Sequence, residues 1–264
     1  MSVQSQYIQK DLVERAFADA AGYASLYEGS GQAACFLSAR LRHVFSLLST
    51  IGGGRILDVG CGPGILLSRL GGSQFELFGL DLCPEMIAAA KARTGKLSAK
   101  LAVGRIEQMP FRAESFDVIL ALGSLEYLSD QRAGLKEIAR LAKPDALVVI
   151  SMLNGASLYR WWERFVYGPW KAARSGLRGR RTEQSPTLWM HGRKSLTRMM
   201  RECELEALDT FYYDVNVCVP PFDLRYWTYS SELNHWVENH CPRQLYPLVN
   251  SAFIVTARRS GLIQ

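Results

Sequence analysis

The chain has 264 residues, of which 48% are hydrophobic and 21% charged, values that are typical of a globular protein and exclude a disordered one. This length suits an α/β domain with additions, and we expect one domain over residues 1–264. No apolar run approaches the length of a membrane-spanning helix and no signal-peptide pattern opens the chain, so we expect a cytoplasmic protein.

The distribution of charge and of cysteine excludes two kinds of site. The net charge of +6 comes from residues 160–181, which hold seven basic residues and one acidic residue. Because nucleic-acid-binding proteins spread their basic residues across a face of the fold, we expect no nucleic-acid partner. The six cysteines form no C-x-x-C pair and have no histidine at metal-ligand spacing, so we predict reduced thiols and no metal site.

Two helices are predicted in front of the first core strand. Val13 and Phe17 recur at helical spacing, glycines at 29–31 interrupt the pattern, and apolar residues resume it over residues 37–48. We therefore predict an N-terminal helical cap over residues 1–50.

A short apolar strand runs into a glycine-rich turn at residues 55–64, which read RILDVGCGPG. The pattern from Asp58 to Gly64 is D-x-G-x-G-x-G, whereas a dinucleotide-binding turn needs a glycine where this chain has Ile65. An acidic side chain at the strand end favours a cationic, amino-acid-bearing ligand over a diphosphate.

A second acidic residue follows the next predicted strand. Residues 75–80 form that strand, and Asp81 stands 23 residues after Asp58. A carboxylate at a strand tip can accept both hydroxyls of a ribose, because it offers two oxygens to two donors.

With these two motifs the chain resembles the class I S-adenosylmethionine-dependent methyltransferases, whose first motif has the same acidic-x-G-x-G-x-G form. The resemblance implies an α/β fold with a Rossmann-like seven-stranded mixed sheet, helices on both faces, the N-terminal cap and insertions after strands five and six. It also implies S-adenosylmethionine as the cofactor. The cofactor-binding residues implied are Tyr23, Asp58, Gly60, Cys61, Gly62, Gly64, Asp81, Leu82, Met86, Ile106, Glu107 and Leu122.

The resemblance also assigns parts of the cofactor to these residues. Asp81 would hold the ribose, and Leu82 and Met86 would border the adenine. Leu122 ends the fourth predicted strand, residues 115–121, and would lie over the methionine half, because ligands of such sheets lie outside the carboxyl ends of the strands.

The loop at residues 104–111 is similar to the loop that covers the adenine in this family. Arg105 stands where the family commonly has aspartate, which removes one side-chain acceptor for the adenine amino group. We therefore expect adenine recognition from the backbone around Ile106 and from Glu107 or Gln108.

The remaining core strands follow in chain order. They are predicted at residues 101–103, 146–150, 205–211 and 250–258. The cofactor-binding core would thus cover residues 51–152, and its C-terminal part residues 194–264.

Residues 153–193 depart from the core pattern. Apolar residues fall on one face of a predicted helix that ends at Pro169: Leu158, Trp161, Trp162, Phe165 and Val166. Residues 157–181 are aromatic, amphipathic and basic. They could contact a membrane surface peripherally, cover the site of an apolar or acidic substrate, or dock on their own domain. The sequence leaves these three alternatives open.

A second unusual segment, residues 213–248, is rich in aromatic residues between two core strands. This composition favours a lid over a largely apolar substrate. An extra structural layer would have the same pattern.

Methyl transfer from a sulfonium requires mainly that the protein positions donor and acceptor. A general base is needed only where the acceptor loses its proton with difficulty, as a hydroxyl does. We predict His191 as the base, because it stands where members of the family reach their substrate, and Tyr127, Glu126 and His235 as the next candidates.

The predicted function is O-methylation of a hydroxyl on a small molecule, an aromatic or polyketide-like natural product. Alternatives are N- or C-methylation of a secondary metabolite, methylation of a quinone or lipid precursor at the membrane surface, and a catalytically silent binding protein of the same fold. Residues 121–124 lack the [DN]-P-P-[YF] motif of enzymes that methylate nucleic-acid bases or glutamine.

Overall fold

The computed structural model describes residues 3–29, 31–177, 186–216, 219 and 227–260. Its strands are β1 (Gly54–Val59), β2 (Phe75–Asp81), β3 (Lys100–Val103), β4 (Phe116–Leu122), β5 (Ala142–Leu153), β6 (Leu205–Val215) and β7 (Asn250–Arg259). Its α-helices are α1 (Val3–Ala16), α2 (Ala20–Ser25), α3 (Gln32–Leu48), α4 (Ile65–Arg69), α5 (Pro84–Thr94), α6 (Gln131–Leu141), α7 (Leu158–Trp162), α8 (Gly168–Leu177), α9 (Arg193–Arg201), α10 (Trp227–His240) and α11 (Tyr246–Val249).

The strands form a seven-stranded sheet in the order β3-β2-β1-β4-β5-β7-β6. Strands β1 to β5 pair in parallel, whereas β7 runs antiparallel to both β5 and β6. The mixed sheet predicted from the sequence is therefore confirmed. Because β1, β2, β4 and β5 are parallel, their carboxyl ends meet at one edge of the sheet.

The sheet separates two apolar cores, and the alternation of side chains along β4 shows the division. Val118 and Leu120 pack with α3, α4 and α5, whereas Ile119 and Ala121 pack with α6 and α9. Asp58 follows Ile56 by two residues on β1 and so lies on the α3 side of the sheet.

Three helices, not the two predicted, precede β1. The predicted first helix breaks after α1, because Asp19 caps a new short helix: its Oδ1 accepts a hydrogen bond from the Gly22 N–H at 2.8 Å. The sequence pattern missed this break because Phe17 and Ala20 keep the apolar spacing across it.

The insertion after β5 is one long helical segment, so the predicted end at Pro169 was wrong. A π-helical turn, Glu163–Tyr167, joins α7 to α8, and Pro169 is the second residue of α8. The π-helical turn that precedes Pro169 changes the hydrogen-bond pattern at this point, so the segment accommodates a residue that has no N–H to donate to the preceding turn.

Strand β5 also starts earlier than predicted. Ala142 already pairs with Phe116, and the register of the strand shifts before Leu147 pairs with Val118, with Asp145 at φ 60°.

Parts of both insertions lie outside the described residues. These include the basic residues Arg178, Arg180 and Arg181 and the lid residues Phe222 and Tyr226. No helix of the described chain has the length and apolarity needed to cross a bilayer. Among the described residues, no three His, Cys, Asp or Glu side chains are grouped as metal ligands.

The helix α6 is held to the sheet mainly by apolar packing, and Leu135 is fully buried there. Leu135→Ala is expected to lower the free energy of unfolding by about 2–5 kcal/mol, because it leaves a cavity in the core. Leu158→Ala is the control, since this helical leucine is 62% exposed, and it should change stability by less than about 0.5 kcal/mol. Urea unfolding measures both, and equal effects would contradict this account of the core.

Candidate active site

The glycine turn after β1 has a backbone that side chains would not permit. Gly60, Gly62 and Gly64 have φ values of 76°, 51° and 73°, in the left-handed region that glycine adopts without strain. A Cβ on Gly60 would lie 2.6 Å from the Cβ of Ser124. The glycines therefore allow the turn to pass directly beside the end of β4.

Asp81 holds this turn against the tip of β2. Its Oδ2 accepts a hydrogen bond from the Gly62 N–H at 2.8 Å, and its Oδ1 accepts one from the Cys83 N–H at 2.9 Å. The pKa of Asp81 is raised by burial, although the N–H groups of Cys83 and Gly62 oppose that shift. Each oxygen keeps a lone pair, so the carboxylate can still accept ribose hydroxyls.

Asp58, at the end of β1, is a buried carboxyl group close to a buried cation. Burial raises its pKa to about 7; Arg40 opposes the shift and Asp81 adds to it. Asp58 can therefore change its charge near neutral pH, and an ammonium group beside it would favour the charged form.

Arg40 is a residue of this site that the sequence analysis missed. It projects from α3 and is 4% exposed, and its Nη2 donates a hydrogen bond to Tyr27 Oη at 3.1 Å. A Cβ on Gly123 would lie 2.6 Å from Arg40 Nη1, so the guanidinium lies against the end of β4. Its Nε has no hydrogen-bond partner. In the sequence, Arg40 could be recognised only as one arginine on the apolar face of a predicted helix.

Ten of the predicted site residues surround one cavity at the carboxyl edge of the sheet. They are Tyr23, Gly60, Gly62, Asp81, Leu82, Met86, Ile106, Glu107, Leu122 and Tyr127. The side chains of Asp58 and Cys61 are buried behind this cavity, and Gly64 packs against Ala90 of α5. The structure thus brings the two acidic strand ends and the adenine loop together.

The predicted adenine side of the cavity contains an ion pair. Arg105 Nη2 donates to Glu107 Oε1 at 3.0 Å, and both residues line the cavity. The arginine that replaces the usual aspartate is therefore held by the neighbouring carboxylate.

The N-terminal helices cover the cavity, as the sequence analysis expected. Phe17 makes edge-on contacts with the rings of Tyr23 and Tyr127, with centroids 5.6 and 5.1 Å away. Gln9, a residue that the sequence did not single out, fastens α1: its Nε2 donates to the Tyr127 and Thr187 carbonyls, and its Oε1 accepts from the Thr187 N–H.

His191, the predicted base, occupies a different place. Its Nε2 donates to Gln131 Oε1 at 2.6 Å, and its Nδ1 lies 3.1 Å from Ser195 Oγ. It is absent from the described residues that line the cavity, and its backbone pairs with the end of β5. The ring ties α6 to α9 in this structure, and its role as the base stays a prediction.

Tyr127, the second candidate base, does line the cavity. Burial is the main cause that raises its pKa to about 12, and Glu126 adds to the shift. A tyrosine with this pKa keeps its proton at neutral pH, so it can donate a hydrogen bond more readily than it accepts a proton.

Residues 57–150 match the family model described as a methyltransferase domain. Magnesium protoporphyrin IX methyltransferase from Synechocystis PCC 6803, solved with bound S-adenosylhomocysteine, superposes with a TM-score of 0.62 at 14% identity and covers 96% of this chain and 100% of its own. Residues 57–150 therefore form a methyltransferase domain, in the fold of the class I methyltransferases. The family predicted from the two motifs is thus confirmed.

Other relatives of this methyltransferase domain differ in the methylated atom that their names state, which is oxygen in one and nitrogen in another. The ubiquinone biosynthesis O-methyltransferase of Bradyrhizobium diazoefficiens is 38% identical over 123 residues, 45% of each chain, so the chain spans about half the length of the curated relatives it matches. The N-methyltransferase NodS of Bradyrhizobium japonicum has a TM-score of 0.54 at 17% identity, covering 85% of this chain and 87% of its own. At such identities a structure shows the fold alone.

The residues of the methyltransferase domain fit S-adenosylmethionine, which the family and the neighbour with bound S-adenosylhomocysteine imply as methyl donor. Asp58 can pair with the ammonium of the methionine half, and Arg40, whose Nε lacks a partner, with its carboxylate. Asp81 and Glu107 line the cavity and would hold the ribose and the adenine.

The raised pKa of Asp58 predicts how cofactor affinity depends on pH. An ammonium favours the ionised carboxylate, so binding releases a proton wherever free Asp58 is protonated. The affinity for S-adenosylhomocysteine should therefore rise, by about tenfold per pH unit at most, as pH increases from about 5.5 to 7, and then level off.

Calorimetry across this pH range measures the effect. Asp58→Asn, which cannot titrate, should remove the rise while Asp81 and Arg40 remain in place. A slope that persists in Asp58→Asn would show that another group titrates.

Proposed function

We propose that this chain transfers a methyl group from S-adenosylmethionine to a hydroxyl group of a small molecule. The observation that carries the proposal is the meeting of Asp58, Asp81 and Arg40 at one end of the sheet. Together they offer partners for the ammonium, the sugar hydroxyls and the carboxylate of one amino-acid nucleoside.

The acceptor that we propose is a hydroxylated quinone precursor. The curated relatives are named ubiquinone biosynthesis O-methyltransferases, which supports oxygen as the methylated atom and a quinone precursor as the class of acceptor. The aromatic lid from which the sequence analysis predicted a natural-product acceptor lies partly outside the described residues, so we place the quinone precursor first.

Such an acceptor is apolar, and the segment α7–α8 offers a surface for reaching it. Leu158, Trp161, Phe165 and Trp170 are between 49% and 62% exposed. The basic residues Arg164, Lys171 and Arg174 lie on the same segment and are exposed as well. Large apolar side chains interleaved with cations are typical of a helix that lies in the interface of an anionic membrane.

The test of the proposed function begins with cofactor binding. Asp81→Asn should weaken S-adenosylhomocysteine binding on the order of 100-fold, because charged hydrogen bonds to the ribose are lost. Asp145→Asn is the matched control: it lies in the register shift of β5, where asparagine tolerates φ 60°, and should leave affinity unchanged. Calorimetry measures both, and absence of binding by the wild-type chain would refute the proposed function.

The membrane surface is tested with vesicles of phosphatidylcholine with and without phosphatidylglycerol. Trp161→Ser combined with Phe165→Ser should reduce sedimentation with the anionic vesicles by roughly tenfold or more, since two apolar side chains no longer enter the interface. Leu208→Ser, an exposed residue of the edge strand β6, should have no effect. Wild-type protein that ignores anionic vesicles would contradict this part of the proposal.

A further inference from the structure

Buried polar atoms without a hydrogen-bond partner are concentrated at one place in the described chain. They belong to Arg40, Ser124, Glu126, Ser151, Ser157 and Arg160. Native proteins pair nearly all such atoms, because an unpaired buried polar group costs free energy. Their concentration at the carboxyl ends of β4 and β5 therefore points to a ligand.

Two of these residues belong to the cofactor site already described, and four do not. Ser124 lines the cavity and Arg40 lies against Gly123. The other four, Glu126, Ser151, Ser157 and Arg160, form a second group, here called the Glu126 cluster, in which the Ser151 side chain also faces the Tyr213 hydroxyl. Glu126 is 4% exposed, Ser151 1% and Ser157 0%.

The Glu126 cluster lies behind the part of the cavity assigned to the methionine half, and none of its four residues is among the described residues that line the cavity. Glu126 lies in the short turn Leu125–Tyr127 between Ser124 and Tyr127, both of which line the cavity. Ser151 of β5 is the register partner of Leu122, another lining residue. A group bound by this cluster would therefore lie beside the methyl end of the cofactor.

The charged and polar groups around Glu126 come from four neighbouring elements, α3, α7, β5 and β6. Burial raises its pKa to about 7, while its own backbone N–H, Arg40 of α3, Arg160 of α7 and the Leu153 N–H oppose the shift. Tyr213 of β6 also faces Glu126, and burial raises the pKa of this tyrosine, so it is neutral. The Glu126 carboxyl can thus exchange a proton near neutral pH in a site that excludes water.

We propose that Glu126 accepts the proton of the acceptor's hydroxyl group, while Arg160 and Ser157 bind a second oxygen substituent of the same acceptor. This assignment rests on the proposed function and deepens it. The hydroxyl proton goes to the Glu126 carboxylate, the acceptor oxygen forms the bond to the methyl carbon, and the carbon–sulfur bond breaks with its electron pair left on sulfur.

The cluster selects oxygen over nitrogen. An aliphatic amine acceptor is a cation at neutral pH, and the guanidinium groups of Arg40 and Arg160 beside Glu126 repel a cation. A neutral amine, in addition, needs no base to attack the methyl carbon. The acceptor class is therefore a hydroxyl compound with a further oxygen group, which the Arg160 Nε and the Ser157 hydroxyl can bind.

The experiment compares matched acceptors with the full chain and S-adenosylmethionine labelled in its methyl group. The probes are dihydroxybenzoates and the bis(aminomethyl)benzoates of the same substitution pattern, whose amines are cations at neutral pH. Label should enter the dihydroxybenzoates, and the rate should rise with pH towards a plateau above about 7, since Glu126 must be ionised to act.

Glu126→Gln should lower kcat by about 100-fold or more at neutral pH and abolish the pH dependence. Glu126→Asp should restore part of the rate, because it returns a carboxylate. The surface variant Glu202→Gln is the control and should react like the wild type. Unchanged S-adenosylhomocysteine affinity and melting temperature in Glu126→Gln show that the variant is folded.

Label in the bis(aminomethyl)benzoates, no label in any dihydroxybenzoate, or a wild-type rate in Glu126→Gln would each overturn this assignment. All three outcomes leave S-adenosylhomocysteine binding intact. If the proposed function were wrong, the wild-type chain would not bind S-adenosylhomocysteine at all.

Discussion

The site depends on a buried positive charge, the guanidinium of Arg40. It lies between Asp58 and Glu126 and is surrounded by tyrosine hydroxyls from α2 and β6. A buried cation is tolerated only with compensating charges and hydrogen bonds, so α3 must be placed where these groups meet. This requirement joins the N-terminal helices to the carboxyl edge of the sheet, and it links the cofactor site to the Glu126 cluster.

The floor and the cover of the cavity are held by different kinds of contact. The floor is formed by strand ends and glycines that are held by backbone hydrogen bonds, such as that from the Gly62 N–H to Asp81. The cover is α1, which is fastened through the Gln9 amide to the Tyr127 carbonyl and to Thr187 in the segment before α9. A single amide thus connects the cofactor cover with the insertion that follows β5, and both can respond to the same ligand.

Two predictions were drawn from local patterns for residues whose surroundings depend on distant partners. His191 was assigned from its position in the chain, but Gln131 and Ser195 occupy its two ring nitrogens. Pro169 was expected to end a helix, but a π-helical turn places it in the first turn of the next one. A local sequence pattern shows neither the partners of His191 nor the π-helical turn before Pro169, because both depend on how the helices pack.

The sequence by itself determined the fold and the cofactor end of the site. The glycines and carboxylates of β1 and β2 act through local backbone geometry, so their spacing is enough to identify them. Only the tertiary structure decided the acceptor end. Arg40, Gln9, Ser157 and Arg160 come from helices far apart in the chain, and their charges and unpaired atoms acquire meaning only once burial brings them to one edge of the sheet.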